Sequence, residues 1–407
     1  MTLVQRFPAG APVAPDALVT QVRGAESPRV GDERIVAFLG AFARRLLAPT
    51  SARRHPELAS LGFFLRSSEL ARITAPGPRL RVPRGLVFHV PPANVDTVFA
   101  YSWALSALAG NRNIVRISPR GGAVADALLA VLGDTLSDVD AETAALVAAT
   151  QRMVTYDRSD AAGTAFSAAC DLRVIWGGDA SIAALRQYPL APHARDLTFP
   201  DRSSFAIVSV RAWQTATPEA RVRAAEACYA DAYWFDQAAC SSPRAIFWVG
   251  DPDAAADAAA EFRALLAGVL ERKAHVPDPA MAVQKRVSAY GAAADGAVRA
   301  LSFTGPGDGI AILELTEPAA LPRRWLGAGT FAQTSVRTLT ELVPVVTGRD
   351  QTVCYFGFAR EELTGFAHAL AGRGVDRFVP FGSALTFSAT WDGYDLFAEF
   401  TRLVTVQ

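Results

Sequence analysis

Short apolar runs alternate with longer stretches of helical periodicity along most of this chain. Residues 85–90, 113–117, 151–155, 172–176 and 204–209 are runs of about strand length, and 97–108, 123–136, 161–169 and 180–187 between them carry apolar positions at helical spacing. Strands alternating with helices predict a parallel sheet covered on both faces. Such a sheet offers ligands the carboxyl ends of its strands. The pattern resumes with a helix over 219–235, a strand over 245–250, a helix over 254–273, strands at 301–303, 310–315, 341–346 and 352–357, a helix over 360–371 and a strand at 377–380. Ahead of both stretches, Ile35, Phe38, Leu39, Phe42 and Leu46 mark one amphipathic helix that Pro49 closes, while residues 1–30, rich in Pro, Ala and Gly, read as a loosely structured lead-in.

A chain of 407 residues exceeds one ordinary core and suggests about two domains. The expected division is a lead-in with one helix over 1–60, a first α/β domain over 61–217 completed by C-terminal residues, a second over 218–390, and a C-terminal segment over 391–407. Lys+Arg and Asp+Glu balance at 40 each, so no global field draws the protein to nucleic acid or an anionic membrane. The four cysteines form no CxxC pair, which argues against a disulfide framework and for a reducing compartment. The five histidines show no metal-ligand spacing, so no metal is expected. With no signal-peptide pattern and no run of about 18 apolar residues, the expected setting is the cytoplasm, without a membrane span.

Chemistry enters with Cys240, which sits in the small, polar segment 236–244 just before an apolar run bounded by Pro243 and Gly250. A thiol so placed is a candidate nucleophile, whereas Cys170, Cys228 and Cys354 lie among apolar neighbours and read as core. Asn94, between a strand and an apolar helix, is either a helix N-cap or an amide aimed at an oxyanion; the two roles are compatible. Trp176-Gly177-Gly178 is a glycine turn between a strand and a helix, where backbone N–H groups favour an anion such as a pyrophosphate, although the turn lacks the GxGxxG pattern. Arg116, closing a strand on the same proposed edge, offers a cation to ribose or phosphate, or is simply a solvated surface arginine. His89 is near enough in sequence to Asn94 to carry a proton, although a strand histidine more often satisfies a local hydrogen bond.

Five segments in order, GLVFHVPPANVD, ALAGNRNIVRIS, DLRVIWGGDASI, FDQAACSSPR and GVDRFVPFGSALTFSATWDGYDLF, together resemble the long-chain acyl-CoA reductase (LuxC-like) family, a branch of the aldehyde dehydrogenase superfamily. The likeness runs from about residue 80 to the C-terminus and is weak between 250 and 350. It implies an aldehyde dehydrogenase-like α/β fold of two doubly wound parallel-sheet domains, a Rossmann-like cofactor domain and a catalytic domain, with a reduced oligomerisation element. It implies Cys240 as the acyl-accepting cysteine, Asn94 as the oxyanion-hole amide, and Arg116, Ser118, Trp176, Gly177 and Gly178 as cofactor contacts for NADPH or NADH. One departure stands out: where hydrolytic aldehyde dehydrogenases carry a water-activating glutamate, the matching stretch begins at Phe199.

The resemblance implies reduction of an acyl thioester, carried by CoA or an acyl carrier protein, to an aldehyde through a thioester on Cys240. It also implies a homo-oligomer and an acyl-activating partner enzyme. The rival readings are a cofactor-independent cysteine acyltransferase, an oxidative aldehyde dehydrogenase and a silent subunit that binds a carrier protein.

Overall fold

The computed structural model describes residues 3–92, 97–119, 121–157 and 159–406, and within it the chain forms two units, one of residues 1–200 with 387–407 and one of residues 201–386.

The first 200 residues of unit 1 carry, among the described residues, the strands β1 (Leu3–Phe7), β2 (Ala9–Val13), β3 (Arg81–Pro83), β4 (Leu86–Val90), β5 (Arg112–Ile117), β6 (Gln151–Thr155), β7 (Leu172–Trp176) and β8 (Arg195–Phe199). All but β3 join one sheet in the order β2-β1-β6-β5-β4-β7-β8. From β6 to β8 every pairing is parallel, and β1 runs antiparallel to β6. The strands are apolar on both faces, as in Leu86–Val90 where all five residues are buried, because helices cover each side. Phe38, Phe42, Trp103 and Leu128 fill one layer, and Leu18, Phe88, Phe166 and Cys170 the other. The strand order reverses between β4 and β7, so the crevice for a ligand opens where β4 and β7 end.

Unit 2 adds β9 (Ser203–Ser209), β10 (Pro243–Val249), β11 (Val298–Thr304), β12 (Ile310–Leu315), β13 (Thr330–Val336), β14 (Asp350–Phe356) and β15 (Arg377–Pro380). They form a second sheet in the order β11-β12-β13-β10-β9-β14-β15, parallel except for β11. Trp213, Trp248 and Phe262 pack on one face, and Phe205, Phe247 and Phe366 on the other.

Four expectations need correction. Residues 1–30 are not a loose lead-in: Leu3 and Phe7 are buried on β1, and the helix Pro15–Gly24 follows. The division falls after residue 200 rather than 217, because the apolar strand β9 pairs with β10 and β14 of the second sheet. The return into unit 1 comes at 387 rather than 391. Residues 341–346 form no strand: a 3-10 turn over Leu339–Leu342 leads past Pro344, and Leu342 and Val346 are buried from a turn. The proline, with no N–H to donate, suits that site better than a central ladder.

Candidate active site

Cys240 lies in unit 2 at the amino-terminal edge of its sheet, three residues ahead of β10. The helix Pro218–Tyr233, capped by the Thr217 hydroxyl, ends at Trp234. The backbone then reverses through Asp236 (φ 49°) and Gln237 (φ 56°), two non-glycine residues in the left-handed region. That conformation is uncommon, and several bonds hold it. Gln237 N–H donates to the Ala232 carbonyl at 2.7 Å, Ala238 N–H to the Phe235 carbonyl at 2.8 Å, and the Trp325 indole to the Asp236 carbonyl at 2.8 Å.

The Gln237 side chain is completely buried and fully used. Its Oε1 accepts from Thr330 N–H at 3.0 Å, and its Nε2 donates to the carbonyls of Thr330 at 3.0 Å and Pro243 at 2.9 Å. The amide thus makes at the head of β13 the two-point contact that a neighbouring strand would make. Arg244 returns across the segment, its Nε donating to the Gln237 carbonyl at 3.1 Å. Ser204, at the head of β9, donates through Oγ to the Cys240 carbonyl at 2.6 Å and accepts Thr352 N–H from β14 at 3.1 Å. Four strands therefore fix one short segment, and Cys240 at its centre is only half-buried. The other three cysteines are buried, which pushes the Cys170 thiol up to about 12 and raises those of Cys228 and Cys354 as well.

In unit 1, Trp176 ends β7 beside the reversal of strand order, and Gly177-Gly178 leads into the helix Asp179–Arg186. Gly178 is that helix's N-cap and no side chain caps it; a Cβ at Gly178 would meet nothing within 4 Å. The turn is open, as an anion cradle must be. Asp179 in the first helical turn weakens the attraction. Arg116 stands near the end of β5, its guanidinium 5.2 Å from the Tyr156 ring centroid and its buried Nε without a hydrogen-bond partner. Ser118 follows β5, and its backbone carbonyl accepts Gly121 N–H at 3.0 Å. The structure thus brings Arg116, Ser118, Trp176, Gly177 and Gly178 to the carboxyl edge of one sheet, whereas Cys240 belongs to the other unit. Asn94 lies outside the described residues.

His89 is not a proton carrier. It is buried in the middle of β4, with Nε2 2.9 Å from Asn113 Oδ1 and Nδ1 3.1 Å from Ser102 Oγ. Asn113 spends its Nδ2 on the Asn111 carbonyl and Gln151 Oε1, so its Oδ1 must accept. His89 therefore carries its proton on Nε2, and Nδ1 accepts the Ser102 hydroxyl, which in turn accepts the Trp176 indole N–H at 3.4 Å. Burial pulls the imidazole down to about 4, so it stays neutral. Phe199 is buried and stacked on Trp176, with ring centroids 3.6 Å apart and planes at 9°.

Sequence reasoning passed over Gln237, Arg244 and Ser204. One signal was present: Arg244 puts a charge at the head of an otherwise apolar strand.

The chain matches the family described as acyl-CoA reductase (LuxC) over residues 72–403 and belongs to that family, so the protein is an oxidoreductase. No curated protein matches it in sequence. Among solved structures it is similar to an indole-3-acetaldehyde dehydrogenase in complex with NAD+, at 15% identity and a TM-score of 0.69 over 99% of this chain and 92% of that one. It is similar to the aldehyde dehydrogenase KauB from Pseudomonas aeruginosa, at 16% identity and a TM-score of 0.69 over 99% and 92%. A putative aldehyde dehydrogenase from Burkholderia cenocepacia gives 15% identity and a TM-score of 0.68 over 100% and 95%. At these identities the likeness establishes the aldehyde dehydrogenase fold, as the sequence motifs had implied.

Proposed function

We propose that this protein reduces an acyl thioester, with CoA as the carrier, to an aldehyde through a thioester on Cys240. The observation that carries the reading is the half-buried Cys240, held by four strands, in a chain of the acyl-CoA reductase family. The Cys240 thiolate attacks the thioester carbonyl, a new C–S bond forms, and the carrier thiol leaves with its bonding electrons and takes up a proton. The Cys240 backbone N–H, with the Asn94 amide, stabilises the oxyanion of that step, a contribution of roughly 3 to 4 kcal/mol in comparable sites.

A nicotinamide dinucleotide fits the residues of unit 1 at the open Gly177-Gly178 turn, with Ser118 and the unsatisfied Arg116 Nε beside it on the same sheet edge. When bound in reduced form it supplies the hydride that converts the acyl-enzyme to an aldehyde and frees the Cys240 thiolate. Arg116 provides a cation for a 2′-phosphate, which favours NADPH over NADH. Phe199 carries no group able to activate water, so the thioester on Cys240 persists until it is reduced or returned to a thiol. That favours reduction over the oxidative dehydrogenase reading. Among the described residues no helix is long and apolar enough to cross a membrane, and we place the reaction in the cytoplasm.

The test is to incubate the protein with a panel of radiolabelled acyl-CoAs and follow both acyl-enzyme formation and NADPH absorbance. Cys240→Ala should abolish labelling and reduction while NADPH still binds. Labelling that survives the substitution ends the assignment.

A further inference from the structure

The segment that carries Cys240 is closed on itself at both ends. Gln237 reaches forward to the Pro243 carbonyl, and Arg244 reaches back to the Gln237 carbonyl, so these two side chains close the short loop 237–244 that has Cys240 near its midpoint. Arg244 is 8% exposed. Its Nη1 donates to the Arg323 carbonyl at 3.3 Å, so both contacts are to neutral oxygens and neither cancels its charge.

The neighbouring charges are engaged elsewhere. Arg323 pairs with the buried Asp350, with Nη2 to Oδ2 at 2.7 Å, and Arg202 pairs with Asp376 at 2.6 Å. Asp236, on the same segment, interacts with His275 and Lys285. Asp201 acts on Arg244 only as a nearby charge and forms no ion pair with it. Among the described residues no carboxylate pairs with Arg244. A buried cation left in that condition favours an anion beside it.

We propose that the Arg244 guanidinium is the counter-charge that holds Cys240 as a thiolate. Burial works against the charge on Arg244, and an anion at Cys240 supports it, which agrees with this pairing. Arg244 is a positioning and charge-setting residue acting through Cys240. The inference rests on Cys240 being the nucleophile, but its test reads the thiol directly.

Alkylation of the intact protein by iodoacetamide is followed across pH, with mass spectrometry reporting Cys240 separately from the three buried cysteines. Wild type should reach half-maximal rate below the value of an ordinary thiol, about 8.5. Arg244→Gln should move the midpoint up by about one pH unit, with up to about a tenfold slower reaction at neutral pH. Arg244→Lys, which keeps the charge and loses the planar fork, should fall between the two. A wild-type midpoint at or above 8.5 overturns the proposal without any variant, so a failure of Arg244→Gln to fold leaves it testable. A low midpoint that stays put in folded Arg244→Gln overturns it as well. Acyl labelling of Cys240 with an unmoved midpoint rejects Arg244 alone. A midpoint that moves in a protein that never forms an acyl-enzyme rejects the reductase reading alone.

Discussion

The Gln237 amide gives the most direct test of how the Cys240 segment is held. Gln237→Leu keeps the side chain's bulk and the same backbone conformation, and removes all three of its hydrogen bonds. Thr330 N–H then keeps only its longer 3.3 Å bond to the Gly327 carbonyl, and the Gln237-facing sides of the Thr330 and Pro243 carbonyls meet a methyl-bearing side chain in a site with no exposure. Each bond contributes about 1 kcal/mol net and a buried polar group that loses its partner costs about 1 to 3. The total is about 3 to 5 kcal/mol, which for a unit of this size lowers the melting temperature by about 10 °C. Gln237→Glu separates shape from bonding. Its first oxygen still accepts Thr330 N–H, but the second meets two carbonyls and must be protonated to donate. A carboxyl whose folded-state proton affinity is raised stabilises below its unfolded value and loses that contribution as pH rises. The Glu variant should therefore approach wild type near pH 4 and fall behind it at pH 8. Differential scanning calorimetry at the two pH values measures both effects. A Leu variant melting within about 2 °C of wild type would refute the account of Gln237 as the clamp of this segment.

Asp231, buried in unit 2, accepts Gly382 N–H at 2.7 Å and Ala384 N–H at 2.9 Å, yet burial dominates and pushes its carboxyl up to about 6. Its contribution to stability is greatest below pH 3.8 and is lost by up to about 3 kcal/mol as pH rises through 6, so Asp231→Asn should gain on wild type over that range in urea titrations. His89 has the opposite sign: held down to about 4 from 6.5, it destabilises unit 1 as pH falls through that window, and His89→Gln, which can keep an acceptor and a donor, should remove the dependence. Gly329 has φ 66°, and a Cβ there would lie 2.0 Å from the Gly309 carbonyl oxygen, so Gly329→Ala should abolish soluble expression or lower the melting point by more than any other change named here.

The parallel strands were legible because their burial on two faces writes an unbroken apolar run, as in Leu86–Val90 and Ile310–Leu315. β13 was not, since its sequence TFAQTSV mixes in Gln333 and Thr334, which are buried all the same and in the case of Gln333 bonded to Glu314. Residues 341–346 misled in the opposite sense, because an apolar run serves a packed turn as well as a strand. For the site, Cys240 and the Gly177-Gly178 turn stand out locally by residue type and flanks. Their supports do not, because Gln237 binds Thr330, Arg244 binds Arg323 and Ser204 meets both Cys240 and Thr352, pairings set by the order of strands in the sheet.

Residues 387–406 return to unit 1 after the whole of unit 2 has intervened. Leu396 and Phe400 are buried there, the Phe400 carbonyl accepts Asn111 Nδ2 at 2.8 Å, and Thr401–Leu403 pairs with β3. On a ribosome, unit 2 has all its residues before unit 1 does, so the unit begun first is finished last. Until then the nascent chain carries the first sheet with part of its core open, while the anchors of the Cys240 segment all lie within a unit already able to close.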